Sequence, residues 1–340
     1  MKADFNFHEG TFLLHPFRAD VWRKNAEPIA AVILSLARLI AEHEPVVLGV
    51  LPEIDKKIIQ NSCGKARVST MLYNDVWIRD SGAVPLNDRL IRFGFNAWGG
   101  EDGLYSDWAY DETVPVQMSE LLNKPLSDCP LTLEGGNLLS NGNGTLICIK
   151  ATVCNENRNP GIDPDAAEEL LKQALGIEKV IWIDKGLAFD ETGGHIDNLC
   201  AFADEKTLLL AWTDDPTSPQ YDIVRRALNV LERECGAKGE QFDIVRVPLP
   251  STFERTAEDS VGLETVSGSK ARAIGDIIQP SYINFIFTNG AVIIPSFNDS
   301  ADSEALSIFQ KVFGDRKVIA FSSREIALGG GGLHCITKNY

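Results

Sequence analysis

The sequence is short of several things that would mark common classes of protein. Basic residues are outnumbered, with 32 Lys plus Arg against 48 Asp plus Glu and a formal net charge of −16. That balance argues against nucleic-acid binding and gives a field that draws in small cations. No apolar run approaches the roughly 20 residues a membrane span needs, and no basic start followed by an apolar stretch opens the chain. A cytoplasmic protein is expected. The seven cysteines are an odd, scattered set with no C-x-x-C pair, which excludes a disulfide framework or a zinc site on spacing. Low-complexity segments, a serine elbow, a phosphate-binding glycine loop and metal-ligand spacing are all missing. What remains is 340 residues with 44% hydrophobic content, ample for a continuous core.

The most unusual stretch lies near the C-terminal end. Gly329, Gly330, Gly331 and Gly332 lead through Leu333 and His334 to Cys335. Four ordered glycines are costly in backbone entropy, so they imply positive φ or close approach, here read as approach to a ligand. A thiol beyond such a loop can be a nucleophile; a flexible tail or a small buried hydrophobe in a last strand are the plainer alternatives.

Along the chain, apolar spacing predicts a helix over 27–42 with Pro28 in its first turn, and Val46–Val50 reads as a buried strand. Arg67–Met71 is a further candidate strand. Asn74-Asp75-Val76-Trp77-Ile78-Arg79-Asp80 crowds charges at a strand end, where Arg79 could simply pair with a neighbouring aspartate at the surface. The Gly- and Trp-rich run from Phe93 to Gly100 reads as loop. A strand over 131–139 and the Asn141-Gly142-Asn143-Gly144 turn form a hairpin with Thr145–Ile149, which puts Glu134 inside an apolar strand or on a wet edge. Asp163-Pro164 should start a helix that ends at Gly176, followed by a strand over 179–183. His195 and Asp197 are two apart on what should be extended chain, and so would share a face. A helix over 220–235, a strand over 244–247, a hairpin of 282–287 with 291–294, a helix over 304–313 and a strand over 317–321 complete the pattern. Strand pairs alternate with single helices, so a doubly wound parallel sheet fits poorly and one large α/β domain over residues 1–340 is expected.

The residues singled out are one thiol, one imidazole and three carboxylates: Cys335, His195, Asp80, Glu134 and Asp197. Crowded carboxylates repel and are driven to protonate unless a cation that keeps its proton sits among them. Guanidinium fits, being planar, permanently charged and able to pair bidentately. Each close charge pair could supply roughly 4 kcal/mol at an effective dielectric near 20, before desolvation. A bound cation and a neighbouring imidazolium would also favour the thiolate.

Four motifs in order, Asn74–Asp80, Glu134-Gly135-Gly136, Gly194-His195-Ile196-Asp197-Asn198 and Gly330–Cys335, resemble those of the agmatine deiminases in the guanidine-modifying superfamily. The likeness extends to Phe95-Asn96-Ala97-Trp98-Gly99-Gly100, Asn157-Arg158-Asn159-Pro160 and Thr213-Asp214-Asp215. It implies a five-bladed, pseudo-symmetric α/β propeller (the pentein fold) of ββαβ modules with a central site. It further implies that Cys335 attacks the guanidinium carbon, Asp80 and Asp197 hold the guanidinium nitrogens, and His195 protonates departing ammonia and then activates water. Glu134 would complete the polar shell and Trp77 would wall the substrate. No metal or organic cofactor is implied, the partner is a small cationic guanidine, and a homodimer is open by resemblance only. Departures from the family pattern stand at Gly193, Phe12 and His15. Arginine or peptidylarginine deimination, non-catalytic binding on the same fold, and papain-like amide hydrolysis by Cys335 are the competing readings.

Overall fold

A computed structural model describes residues 1–340, Asp102 by its backbone alone. The chain starts with β1 (Thr11–Leu14), then α1 (Glu27–Ile40), β2 (Val46–Val50), α2 (Lys56–Ser62) and β3 (Arg67–Thr70). Pro28 does sit in the first turn of α1, where its missing N–H costs nothing, and Ile29, Ile33, Leu36, Ala37 and Ile40 form the buried stripe. A single helical turn, α3 (Ile78–Ser81), precedes the first of four similar units: β4 (Val84–Pro85), β5 (Leu90–Gly94), α4 (Val114–Leu122) and β6 (Leu126–Thr132). The second comprises β7 (Leu139–Ser140), β8 (Thr145–Ile149), the one-turn α5 (Lys150–Val153), α6 (Pro164–Leu175) and β9 (Lys179–Ile183). The third is led by the one-turn α7 (Ile196–Leu199) and comprises β10 (Cys200–Phe202), β11 (Thr207–Trp212), α8 (Tyr221–Arg233) and β12 (Asp243–Pro248).

A long connection carrying the short antiparallel pair β13 (Phe253–Glu254) and β14 (Ile277–Ile278) leads to β15 (Ile286–Phe287), β16 (Ala291–Ser296), α9 (Asp302–Val312) and β17 (Lys317–Ser322). α10 (Arg324–Leu328) and β18 (Lys338–Asn339) end the chain. In every unit the first strand is antiparallel to the second and the second parallel to the third: β4-β5-β6, β7-β8-β9, β10-β11-β12 and β15-β16-β17. The fifth sheet has the same pattern with its first strand supplied by the other end of the chain: β18 lies antiparallel to β1, which runs parallel to β2 and then β3. The parallel crossovers need helices, which explains the strand-pair and single-helix alternation.

Local chemistry accounts for the boundaries. Asp163 accepts from the Ala166 N–H at 2.8 Å and Pro164 opens α6, while Gly176 closes it in the left-handed region. Each buried leucine on its inner face, Leu171 and Leu175, contributes about 1.5–3 kcal/mol. β2 and β8 are buried along their whole length and read as continuous apolar runs, as expected for strands covered on both faces. Three expectations shift. Phe93 and Gly94 belong to β5 rather than loop. The strand expected through 131–139 stops at Thr132, because Gly135-Gly136 breaks it into a 3-10 turn, and its hairpin arm is β7 alone. Asn74–Asp80 ends in the helical turn α3, not at a strand end. Among the described residues no helix is long and apolar enough to cross a membrane.

Candidate active site

Each of the five sheets is entered by a short irregular or one-turn segment just before its first strand, and these five segments carry the site. α3 before β4 holds Asp80; the turn before β7 holds Glu134 and Gly136; the start of α7 before β10 holds His195 and Asp197; the link before β15 holds Asn284; and the turn before β18 holds His334 and Cys335. Segments far apart in sequence are thereby brought to one place.

The convergence is tightest over Gly136. A Cβ built on that glycine would lie 2.6 Å from His195 Nδ1, 2.9 Å from Asp80 Oδ1 and 3.0 Å from Asp197 Oδ2. Its own N–H donates to Asp80 Oδ1 at 2.8 Å, and the Trp98 indole donates to Asp80 Oδ2 at 2.9 Å. Trp98 and Ala97 both hold positive φ (65° and 52°), a strained backbone that aims the indole at Asp80. His195 Nδ1 lies 3.8 Å from Asp80 Oδ1, and Nε2 lies 3.6 Å from Glu134 Oε2. Arg158 Nε donates to the other Glu134 oxygen at 2.6 Å, and both side chains are buried. Cys335 Sγ lies 3.8 Å from Asp197 Oδ2 and accepts from the Asn284 amide at 3.3 Å.

Burial sets the electrostatics. Glu134, His195, Asp80, Asp197 and Cys335 are all at most 6% exposed. Desolvation, with Asp197 and Asp80 adding negative charge, pushes the Cys335 thiol well above its usual range. Burial also raises the Asp80 pKa; His195 opposes this, and the Asp197 and Glu134 charges add to it. Burial raises Glu134 too, but Arg158 and His195 outweigh it and hold this carboxyl below its ordinary value. Desolvation would lower His195, yet Asp80 and Glu134 prevail and raise it to about 9. At neutral pH the resting arrangement is therefore a thiol beside an imidazolium. Asp197 Oδ1 and Glu134 Oε2 are buried acceptors with no hydrogen-bond donor among the described residues.

Glu134 is neither in a strand nor on a wet edge; it is fully buried, which is tolerable because Arg158 neutralises it. Arg79 forms no surface pair with its neighbours. It is buried, with Nη1 at 3.3 Å from Asp4 Oδ1 and Nε donating to the His334 carbonyl. His195 and Asp197 do not lie on one strand: His195 has extended backbone (φ −103°, ψ 147°) just before α7, while Asp197 is in the first turn of α7, so it is the turn into the helix that brings the two together. The glycines of the C-terminal run admit the protein's own side chains. A Cβ at Gly329 would strike the Trp22 ring at 2.0 Å, at Gly331 the Trp77 ring at 2.5 Å, and at Gly332 the Asn284 amide oxygen at 2.3 Å; only Gly330 has positive φ. Trp77 thus borders the Gly331 Cα together with the Cys335 Cβ, while its indole donates to Asp75 at 2.8 Å.

Asn284, Trp98, Arg158 and His334 were not picked out singly from the sequence. The Asn284 amide oxygen accepts from the His334 N–H at 2.9 Å and the Cys335 N–H at 3.4 Å, and its nitrogen donates to Asn198 at 3.0 Å as well as to the thiol. A polar residue inside the apolar run Tyr282–Phe287 was the signal available. Of the positions that depart from the resembling family, Gly193 has φ +87°, a conformation asparagine also adopts, and Phe12 is buried against Tyr340 with ring centroids 4.9 Å apart.

The family model of Porphyromonas-type peptidyl-arginine deiminases matches residues 1–340. The chain belongs to this family. Within it, the agmatine deiminase of Pseudomonas aeruginosa is 38% identical over 346 residues, spanning 99% of this chain and 94% of that relative. The solved agmatine deiminase of Enterococcus faecalis superposes on this deiminase-family chain with a TM-score of 0.95 at 31% identity, covering 100% of this chain and 94% of the other. An amidinotransferase from Microseira wollei shares the mixed α/β fold at a TM-score of 0.55 and 12% identity, covering 100% and 96% of the two chains.

Proposed function

We propose that this family member hydrolyses agmatine to N-carbamoylputrescine and ammonia through a covalent amidino-cysteine intermediate. The observation that carries the reading is the enclosure of one thiol and one imidazolium by three buried carboxylates, with Asp197 Oδ1 left without a donor among the described residues and Glu134 Oε2 facing the His195 ring at 3.6 Å. A guanidinium supplies N–H donors in a plane and one permanent positive charge. Asp80 and Asp197 hold its nitrogens, Glu134 extends the acidic wall, and Trp77 flanks the thiol.

The cation offsets the negative field of Asp197 and Asp80 that keeps the thiol protonated, so the Cys335 proton leaves to solvent as substrate enters. The thiolate adds to the guanidinium carbon. His195, already an imidazolium, gives its proton to the departing nitrogen, and ammonia leaves an S-amidino-cysteine. The now neutral imidazole takes a proton from water, the hydroxide adds to the same carbon, and collapse breaks the C–S bond, the hydroxyl proton passing to the leaving sulfur so that the neutral ureido product and the Cys335 thiol are released.

The five sheets with one strand order, the last completed by both chain ends, support a five-bladed pseudo-symmetric propeller over a single domain of residues 1–340. The test is incubation with agmatine, arginine and a blocked arginine peptide, with ammonia followed and each ureido product identified by mass. Agmatine is expected to turn over and the others far less; best turnover of arginine or peptide would move the assignment to that substrate. Cys335→Ala should abolish turnover with the fold intact, and appreciable residual turnover would remove the covalent step.

A further inference from the structure

Behind the carboxylate of Asp197 lies a chain of charges that the reaction outlined above does not use. His334 Nδ1 is 2.8 Å from Asp197 Oδ2, and His334 Nε2 is 3.1 Å from Asp4 Oδ2. A carboxylate only accepts, so a ring with a carboxylate at each nitrogen needs a proton on both. Asp4 is itself fixed: Arg79 Nη1 and Asn339 Nδ2 donate to its Oδ1 at 3.3 and 3.1 Å. It lies on the N-terminal segment, more than 300 residues from His334 in sequence.

We infer that His334 is held as an imidazolium between Asp4 and Asp197 and is the positioning residue that orients Asp197 for the substrate, so that the N-terminal segment completes the site. One oxygen of Asp197 is committed to His334, which leaves Oδ1 as the acceptor turned to a guanidinium nitrogen. A fixed cation behind Asp197 also offsets part of the repulsion among the three neighbouring carboxyl groups, Asp197, Asp80 and Glu134. The charged and titratable groups around His334 are Asp4 and Asp197, the Arg79 guanidinium whose Nε donates to the His334 carbonyl, and the Cys335 thiol. Lys338, donating to the Arg79 carbonyl, and His8, whose Nε2 is 2.7 Å from the Asp4 carbonyl, stand one step further out. Burial and Arg79 push the His334 pKa down, and the two carboxylates outweigh them and raise it. Although burial works the other way, Arg79 and His334 hold Asp4 well below the carboxylate range.

The inference deepens the deiminase reading, and its first measurement needs no turnover. In protein labelled with ¹⁵N-histidine, the His334 ring signals, assigned by their loss in His334→Gln, should show both nitrogens protonated at pH 7.5. In the isosteric Asp4→Asn variant the ring should lose its proton at least one pH unit lower. kcat/KM for agmatine at pH 8 should then fall by about tenfold, with the alkaline limb of its pH profile moved down, and Asp4→Glu should recover part of it. A neutral His334 ring in the unsubstituted protein at pH 7.5 would overturn the inference, as would Asp4→Asn with an unchanged ring titration. A shifted titration with an unaltered pH profile would remove the positioning role. If no guanidine turned over in the unsubstituted protein, the functional reading would fail while the ring titration still decided the charge state.

Discussion

Gly136→Ala isolates the geometry of the site from its chemistry, because it removes no functional group. The glycine φ is not in the left-handed region, so alanine meets no backbone penalty and the effect is steric. Its Cβ would stand 2.6 Å from His195 Nδ1, 2.9 Å from Asp80 Oδ1 and 3.0 Å from Asp197 Oδ2, against an ordinary contact distance of 3.4 Å or more. His195 therefore has to retreat by about 0.8 Å and the carboxylates by about half that. None is free to do so. The His195 backbone N–H is tied to Asp190, the Asp80 carboxylate to Trp98 and to Gly136 itself, and the Asp197 carboxylate to His334.

Overpacking of this kind costs about 1–3 kcal/mol of stability, and a displacement near 1 Å of reacting groups costs about a hundredfold in rate. The assay is initial ammonia release across a range of agmatine concentrations, beside urea unfolding of the same preparation. Gly314→Ala is the control, since the nearest atom to its Cβ is Gln310 O at 3.9 Å. It should change stability by less than about 0.5 kcal/mol. A Gly136→Ala enzyme with kcat/KM within twofold of the parent would refute the convergence of the three groups over this glycine.

Three other outcomes follow from the site. Arg158→Met strands the fully buried Glu134 carboxylate, so urea unfolding should show a loss of about 3–5 kcal/mol, and a loss below 1 kcal/mol would contradict the pairing. Asn284→Ala removes the amide that donates to Cys335 Sγ and favours the thiolate; the pH midpoint for inactivation by iodoacetamide should move up, and an unmoved midpoint would deny Asn284 that role. Stability should fall from pH 7 to pH 10. The His195 pKa of about 9 exceeds its unfolded value near 6.5, so its contribution is complete below that value and lost as pH rises through about 9. The raised Cys335 thiol acts in the same direction once the unfolded thiol begins to ionise near 8.5. Unfolding free energies that stay flat or rise over that range would refute both.

Much of the fold was legible because its signals are local. Pro28 and Asp163 mark helix starts, and the Asn-Gly turns at 141–144 and 289–290 join strands that do pair. The errors fell where short turns replace strands, before β4, β7 and β10. Those segments look extended to a periodicity argument since they are too short to show a helical repeat. Asn284 and Trp98 escaped attention for a different reason: each is ordinary in composition and acquires its role only through its partner, the Cys335 thiol or the Asp80 carboxylate.

The sequence by itself determined the inventory: a thiol after a glycine run, a His-x-Asp pair, two more carboxylates in ordered motifs, an acidic balance and an alternation of strand pairs with single helices. Those are properties of residue type and near spacing, which survive without knowledge of what touches what. Only the tertiary structure decided the pairing: Arg158 against Glu134, Trp98 against Asp80, Asn284 against Cys335, and Asp4 with His334 behind Asp197. It also decided that the terminal glycines make room for Trp22, Trp77 and Asn284. The physical reason is that buried charges take their energies from neighbours within a few ångströms, and those neighbours are brought in from distant parts of the chain.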